Sequence, residues 1–182
     1  QRQMCKGTSS INHENDTDTL VVIARLADHA VRYFADDPVI AMGSYSNFGA
    51  NKVHGPDEVH EAVDILHKKY PEIVIDGEMQ VHYAMNKELR DTHFPFNNLF
   101  GKDVNTLVFP NLSAANTVYR LLLEMGLAEV IGPIQIGLNK PIHMTSIDAS
   151  VRDIINLTTI AVIDATVYAK VGCNPEEYSL SF

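Results

Sequence analysis

A chain of 182 residues with 46% hydrophobic composition can bury one sizeable core, as a single domain or one large lobe. Its formal charge of -9 works against nucleic acid as a partner, because phosphate backbones demand clustered Lys and Arg. No apolar run is long enough to cross a bilayer and no charged-then-apolar leader opens the chain, so neither a membrane span nor export is expected.

The opening QRQMCKGTSS does not read as a natural start and suggests a piece of something longer. From Asp16, DTDTLVVIARLADHAVRYF places Leu20, Ala24, Ala27, Val31 and Phe34 at helical spacing, with Asp16 or Thr17 as cap. VIAMG (39–43) reads as a buried strand, and SYSNFGANKVHG (44–55) as a polar loop. Pro56 starts a helix whose Val59, Ala62, Val63, Leu66 and Tyr70 form one apolar face, and Pro71 stops it. IVI (73–75) predicts a second strand closed by a turn at Asp76-Gly77, followed by a short helix through 79–90. DTHFPFNNLFGKD (91–103) has no period and reads as a long loop.

TLVF (106–109) predicts a third strand. LSAANTVYRLLLEMG predicts a helix capped by Ser113, with Val118, Leu121, Leu122 and Met125 inside and Gly126 as its stop. AEVIGPIQIG (128–137) and PIHM (141–144) predict further strands, and a last helix runs from about Ser150 to Ala169. Strands alternating with helices imply an α/β fold with a mostly parallel sheet covered on both faces. Ligands of such sheets gather at the carboxyl ends of the strands, where the loops at 44–55, 76–80, 110–113 and 144–149 would meet.

The chemistry-bearing patterns are few. GxGxxG, GxxxxGK[ST] and GxSxG are all absent, which weighs against a self-contained dehydrogenase, kinase or esterase. His54, His60 and His67 invite a metal, but His60 and His67 lie about two helical turns apart, so solvated histidines and no metal are expected. Glu78 and His82 lack a third ligand. Asp76 and Glu78 follow a strand end, where carboxylates orient ligands, although an Asp-Gly turn also explains Asp76. In the 44–50 loop, Ser46 and Asn47 are candidate ligand contacts. Ser146 and Asp153 flank the start of the last helix; they could form a catalytic pair, but Ser150-x-x-Asp153 is equally a capping box. Cys5 and Cys173 have no metal-type spacing and fit a reducing cytoplasm with spectator thiols.

SYSNFGA, DGEMQ after IVI, FPFNNLFGKDVNTLVFPNLSAANTVYRLL, EVIGPIQIGLNKPIH and SVRDIINLTTIAVIDA, taken in order, resemble the phosphotransacetylase family. The likeness runs from about Asn12 to Ala165 and is closest to the C-terminal branch fused to bacterial malic enzymes. The resemblance implies a three-layer α/β/α fold, the second lobe of a two-lobed phosphotransacetylase-like (isopropylmalate-dehydrogenase-like) architecture. Residues 1–145 would form that lobe, and residues 146–182 would return to a first lobe preceding Gln1. It further implies an upstream malic enzyme domain using NADP or NAD and a divalent metal, with acetyl-CoA as effector of this region and a homo-oligomer as its assembly.

Transferases of the family use a Ser-Arg pair, a nearby Asp and a further Arg on a preceding helix. Carried over by position, the Ser falls on Ser146 and the Asp on Asp153, while the arginines become Ile147 and Glu124. Each lost charge-assisted contact to a transferring phosphate would cost roughly 3 kcal/mol of transition-state stabilisation. The resemblance therefore implies a domain that binds acetyl-CoA without turning it over. The alternative is an active phosphate acetyltransferase with cations supplied from the first lobe.

Overall fold

The computed structural model describes residues 15–33, 37–52, 56–126, 131–136, 140–145, 147 and 149–171. Asp16 begins the order: its Oδ1 accepts the Thr19 amide at 2.8 Å and caps α1 (Thr17–Tyr33). Leu20, Val21, Ile23 and Ala24 of this helix are buried, as its 3.6-residue period requires. The strand β1 (Ile40–Gly43) follows and is buried along its whole length. Pro56 opens α2 (Pro56–Lys69) with Asp57 and Glu58 in the first turn and basic side chains in the last, an arrangement that suits the helix dipole.

The second strand, β2, spans Ile75–Met79 and departs from expectation. Asp76-Gly77 is no turn; both residues lie inside the strand. Pairing with Ala41 and Met42 of β1 carries the extended chain through Asp76 and Gly77. The glycine is required there because its φ is +147° and a Cβ would stand 2.7 Å from the Met42 carbonyl oxygen. The segment expected as one helix over 79–90 is two, α3 (Val81–Met85) and α4 (Lys87–His93), divided at Asn86. The Asn86 side chain accepts the Leu89 amide at 3.0 Å and so starts α4 anew.

Residues expected as a loop from Asp91 thus continue α4 to His93. The remainder, to Asn105, is fixed by hydrogen bonds. The buried Arg90 guanidinium donates to the carbonyls of Leu99 and Lys102 at 2.9 and 2.7 Å, and Asp91 accepts the Gly101 amide at 2.7 Å. The loop ends in β3 (Thr106–Val108).

The sheet is parallel, in the order β2-β1-β3. Ile40 and Met42 of β1 meet α1 and α2 on one face, in a cluster with Leu20, Val59, Val63 and Leu66. Ala41 faces the other way, toward Met79, Ala84 and Leu99. Helices α1 and α2 therefore cover one face, and α3 with the 94–105 loop covers the other: three layers, α/β/α.

The helix α5 (Leu112–Glu124) is capped by Asn111, whose Oδ1 accepts the Ala114 amide at 2.9 Å, and not by Ser113. Asn111 leads because the strand ends three residues earlier and the chain turns at Pro110. The expected inside positions of this helix also differ: Leu121, Leu122 and Met125 are 57%, 40% and 60% exposed, since no described element packs over them. Residues 131–136 and 141–145 carry no strand, contrary to expectation; the rest of those two segments lies outside the described residues. Pro133 offers no amide to a ladder, and the Gln135 amide donates to the His143 ring at 3.3 Å instead of to a carbonyl.

The last helix, α6 (Val151–Val171), opens on a capping box. Asp153 N donates to Ser150 Oγ at 3.2 Å, while Ser150 N donates to Asp153 Oδ2 at 2.9 Å. Ser150→Ala should lower stability by about 1 kcal/mol. Urea unfolding followed by circular dichroism measures this directly, and an unchanged midpoint would remove the cap from the account.

Candidate functional site

The second strand forms to one side of β1 and the third to the other, so the connections leave on opposite faces. That makes the gap between the carboxyl ends of β1 and β3 the point where ligands of such sheets bind. A cleft of about 550 Å³ lies there, within the range of small-molecule sites. Its floor is Gly43 and Ser44 from β1 and Phe109 and Pro110 after β3, and its wall is the first turn of α5. Asn15, just before α1, anchors the floor by donating to the Pro110 carbonyl at 2.8 Å. Among the described residues, the lining holds hydroxyls and amides but no Lys, Arg, His, Asp or Glu side chain.

The 44–50 loop that rims the cleft is tied closely to β2 and its continuation. Ser44 N donates to the Met79 carbonyl at 2.9 Å, and Phe48 N to the Glu78 carbonyl at 2.7 Å. Gln80 donates from its amide to Asn47 Oδ1 at 2.9 Å and from its side chain to the Tyr45 carbonyl at 2.7 Å. Asn47 is thus a brace of the loop. Ser46 is buried, and its hydroxyl has no partner among the described residues.

Asp76 sits behind the cleft rim inside β2, 5% exposed, and does not line the cleft. Its carboxylate accepts the amides of Gly77 at 2.9 Å and Asn98 at 2.6 Å. Burial pushes its pKa above the usual carboxylate range, against the pull of those two amides. Asp76 therefore fastens the 94–105 loop to the sheet edge.

The histidines are not simply solvated. His60 Nδ1 lies 3.1 Å from Glu78 Oε2, and His67 Nε2 lies 2.8 Å from the Ile75 carbonyl. Both reach β2 because α2 is the crossover packed beside that strand. His54 lies outside the described residues. Among the described residues no cluster of His, Cys, Asp or Glu could hold a metal ion. A part-buried pair escaped the sequence reading altogether: His143 Nε2 meets Asp164 Oδ2 at 2.7 Å. The Gln135 amide donates to Nδ1, so Nε2 carries the proton and donates to Asp164.

Of the positions near the last helix, Ser146 lies outside the described residues, and Ile147 is fully exposed. Asp153 is engaged in its capping box, and the Ser150 hydroxyl lowers its pKa. Glu124 is exposed at the far end of α5, six residues beyond Val118, the last described cleft-lining residue of that helix, and so roughly 9 Å from it along the axis. Of the 44–50 loop, Ser44 and Tyr45 line the cleft, whereas Ser46, Asn47, Asp76, Glu124, Ile147 and Asp153 are not among its described lining residues. Glu78 was legible as a carboxylate just past a strand end. Its partners in the loop were not.

Three comparisons bear on this arrangement. The family model described as "Phosphate acetyl/butaryl transferase" matches residues 1–162. The NADP-dependent malic enzyme of Escherichia coli (strain K12) is 35% identical over 156 residues, covering 85% of this chain and 20% of that protein. A phosphate acetyltransferase of Clostridium acetobutylicum is 36% identical over 157 residues, covering 86% of this chain and 47% of the other. A phosphotransacetylase structure from Staphylococcus aureus superposes with a TM-score of 0.79 at 33% identity, over 89% of this chain and 52% of that one. The chain therefore spans about a fifth of the malic enzyme and about half of the acetyltransferases it matches.

Proposed function

Because the chain belongs to the phosphate acetyl/butaryl transferase family, we propose that it is the acetyl-CoA-responsive, non-catalytic and oligomer-forming module of a cytoplasmic malic enzyme. Oxidation and decarboxylation of malate to pyruvate, with NADP or NAD and a divalent metal, would belong to a separate part of that polypeptide. The observation that carries the reading is the cation poverty of the cleft. No Lys or Arg among the described residues lines it, and the resemblance sets the family's two arginines at Ile147 and Glu124.

A phosphate dianion in transfer needs fixed positive charge. A thioester and its pantetheine arm need none, and an apolar cleft with hydroxyls and amides suits them. The assembly role draws on the exposed apolar side chains of α5 and α6, among them Leu121, Met125, Ile155 and Val162. CoA itself is the ligand class the family name supports.

The test uses the full-length polypeptide. Acetyl phosphate formation from acetyl-CoA and inorganic phosphate should stay at background, while calorimetry should register acetyl-CoA binding. Robust turnover that Ser146→Ala abolishes would overturn the reading in favour of an active phosphate acetyltransferase, the activity carried by the Clostridium acetobutylicum relative's name. Introducing Arg at positions 124 and 147 discriminates further. A large gain in turnover would tie the lost activity to those two charges.

A further inference from the structure

The register between β1 and β2 slips at one place. Met42 pairs with Gly77 and Gly43 with Met79, so Glu78 has no partner across the ladder. Such a bulge turns a side chain out of the sheet's alternation and frees its backbone groups. Both consequences are visible here. The freed Glu78 carbonyl accepts the Phe48 amide at 2.7 Å. The carboxylate accepts the Gly49 amide, with Oε1 at 2.9 Å and Oε2 at 3.2 Å.

Glu78 is fully buried, an expensive place for a carboxylate unless its charge is met. His60 meets it from α2, with Nδ1 3.1 Å from Oε2. The same imidazole lies over Gly49, where a Cβ would come within 3.7 Å of its Cε1. A turn bond from the Ala50 amide to the Asn47 carbonyl at 3.0 Å closes the loop at this point but leaves its backbone strained. Phe48 has φ +48° and Gly49 φ +77°, both left-handed, and for a phenylalanine that conformation is strained. The loop adopts it because two successive amides are drawn onto one residue.

From this we infer that Glu78 is the positioning residue of the cleft loop. Its backbone carbonyl fixes Phe48 and its carboxylate, braced by His60, fixes Gly49, and together they hold Ser44 and Tyr45 where they line the cleft. It touches no ligand itself and acts through the loop. The ligand half of this inference rests on the acetyl-CoA reading above; the positioning half does not.

Hydrogen–deuterium exchange on the full-length polypeptide separates the two. Glu78→Ala should speed exchange over residues 44–50 by about tenfold or more, while α1 stays unchanged. Glu78→Gln, which keeps an acceptor for Gly49, should recover most of the protection. His60→Ala, a half-exposed change that leaves the fold intact, should speed the same loop by about threefold or more. Equal acceleration in α1, or loop exchange within about twofold of the unaltered protein in both alanine variants, would overturn the positioning role. Acetyl-CoA titration adds the second readout. Weakened binding in Glu78→Ala that Glu78→Gln restores supports the link to the cleft, and an unchanged Kd beside a loosened loop refutes it. Absence of acetyl-CoA binding in the unaltered protein would sink the ligand reading alone, and the exchange result would still decide the role of Glu78.

Discussion

Arg90→Ala should lower the unfolding free energy by about 4 kcal/mol, among the largest losses a single change can produce here. The guanidinium is completely buried, and its donors are spent on named acceptors. Nη2 reaches the Leu99 and Lys102 carbonyls at 2.9 and 2.7 Å, and Nη1 the Ala84 carbonyl at 3.4 Å. Nε reaches Asp91 Oδ1 at 3.2 Å. Alanine would leave those carbonyls facing a cavity with no donor, and each orphaned acceptor costs about 1–3 kcal/mol. Arg90→Lys should recover less than half of the loss, because an ammonium cannot fork to carbonyls on both sides of the loop. Urea unfolding of the variants measures this. A loss below about 1 kcal/mol for alanine would mean that the loop holds without its guanidinium.

Gly77→Ala should be nearly as damaging, by a different route. The new Cβ would sit 2.7 Å from the Met42 carbonyl oxygen and 2.9 Å from Met42 Cβ, at a φ of +147° that L side chains rarely adopt. Met42 belongs to the central strand and is fully buried, so it has nowhere to retreat. Strain and overpacking together should cost about 3 kcal/mol or more. Because the clash falls on the β1–β2 ladder, exchange protection should drop along both strands. An alanine variant melting within a degree or two of the original would show that the strands can part there without loss.

How much of this could be read from residue order depends on the range of the signal. Pro56 and Pro71 bracket α2 because proline acts on its own backbone, and the predicted helix matches the observed one closely. The Ser150–Asp153 box is a contact across three positions, and it sits where the spacing puts it. Where local chemistry was ambiguous, the tertiary partner decided. Asp-Gly is a turn signal in isolation, yet at 76–77 the approach of Met42 makes the glycine a strand residue. Asn111 and Ser113 are both good caps, and the end of β3 chose between them.

The site divides along the same line. Ser46 and Asn47 were visible as a polar cluster after a strand, but it is their neighbours Ser44 and Tyr45 that line the cleft. The brace from Glu78 to Gly49 spans 29 positions in the chain, and no spacing rule reaches that far. Nor could periodicity say that Leu121 and Met125 lie uncovered, since an apolar stripe reads the same whether its cover is in the chain or elsewhere.

The strand order also bears on the sequence in which the domain can assemble. Its central strand is made first, and Ile40 then waits for Ile75 on one side and Thr106 on the other. A nascent chain that has emerged only as far as the first crossover therefore shows one open, apolar strand edge to its surroundings. Closure of that edge comes late and at long range, which slows folding. A truncation ending between β2 and β3 should accordingly collect as aggregate, while one ending after β3 should retain the sheet.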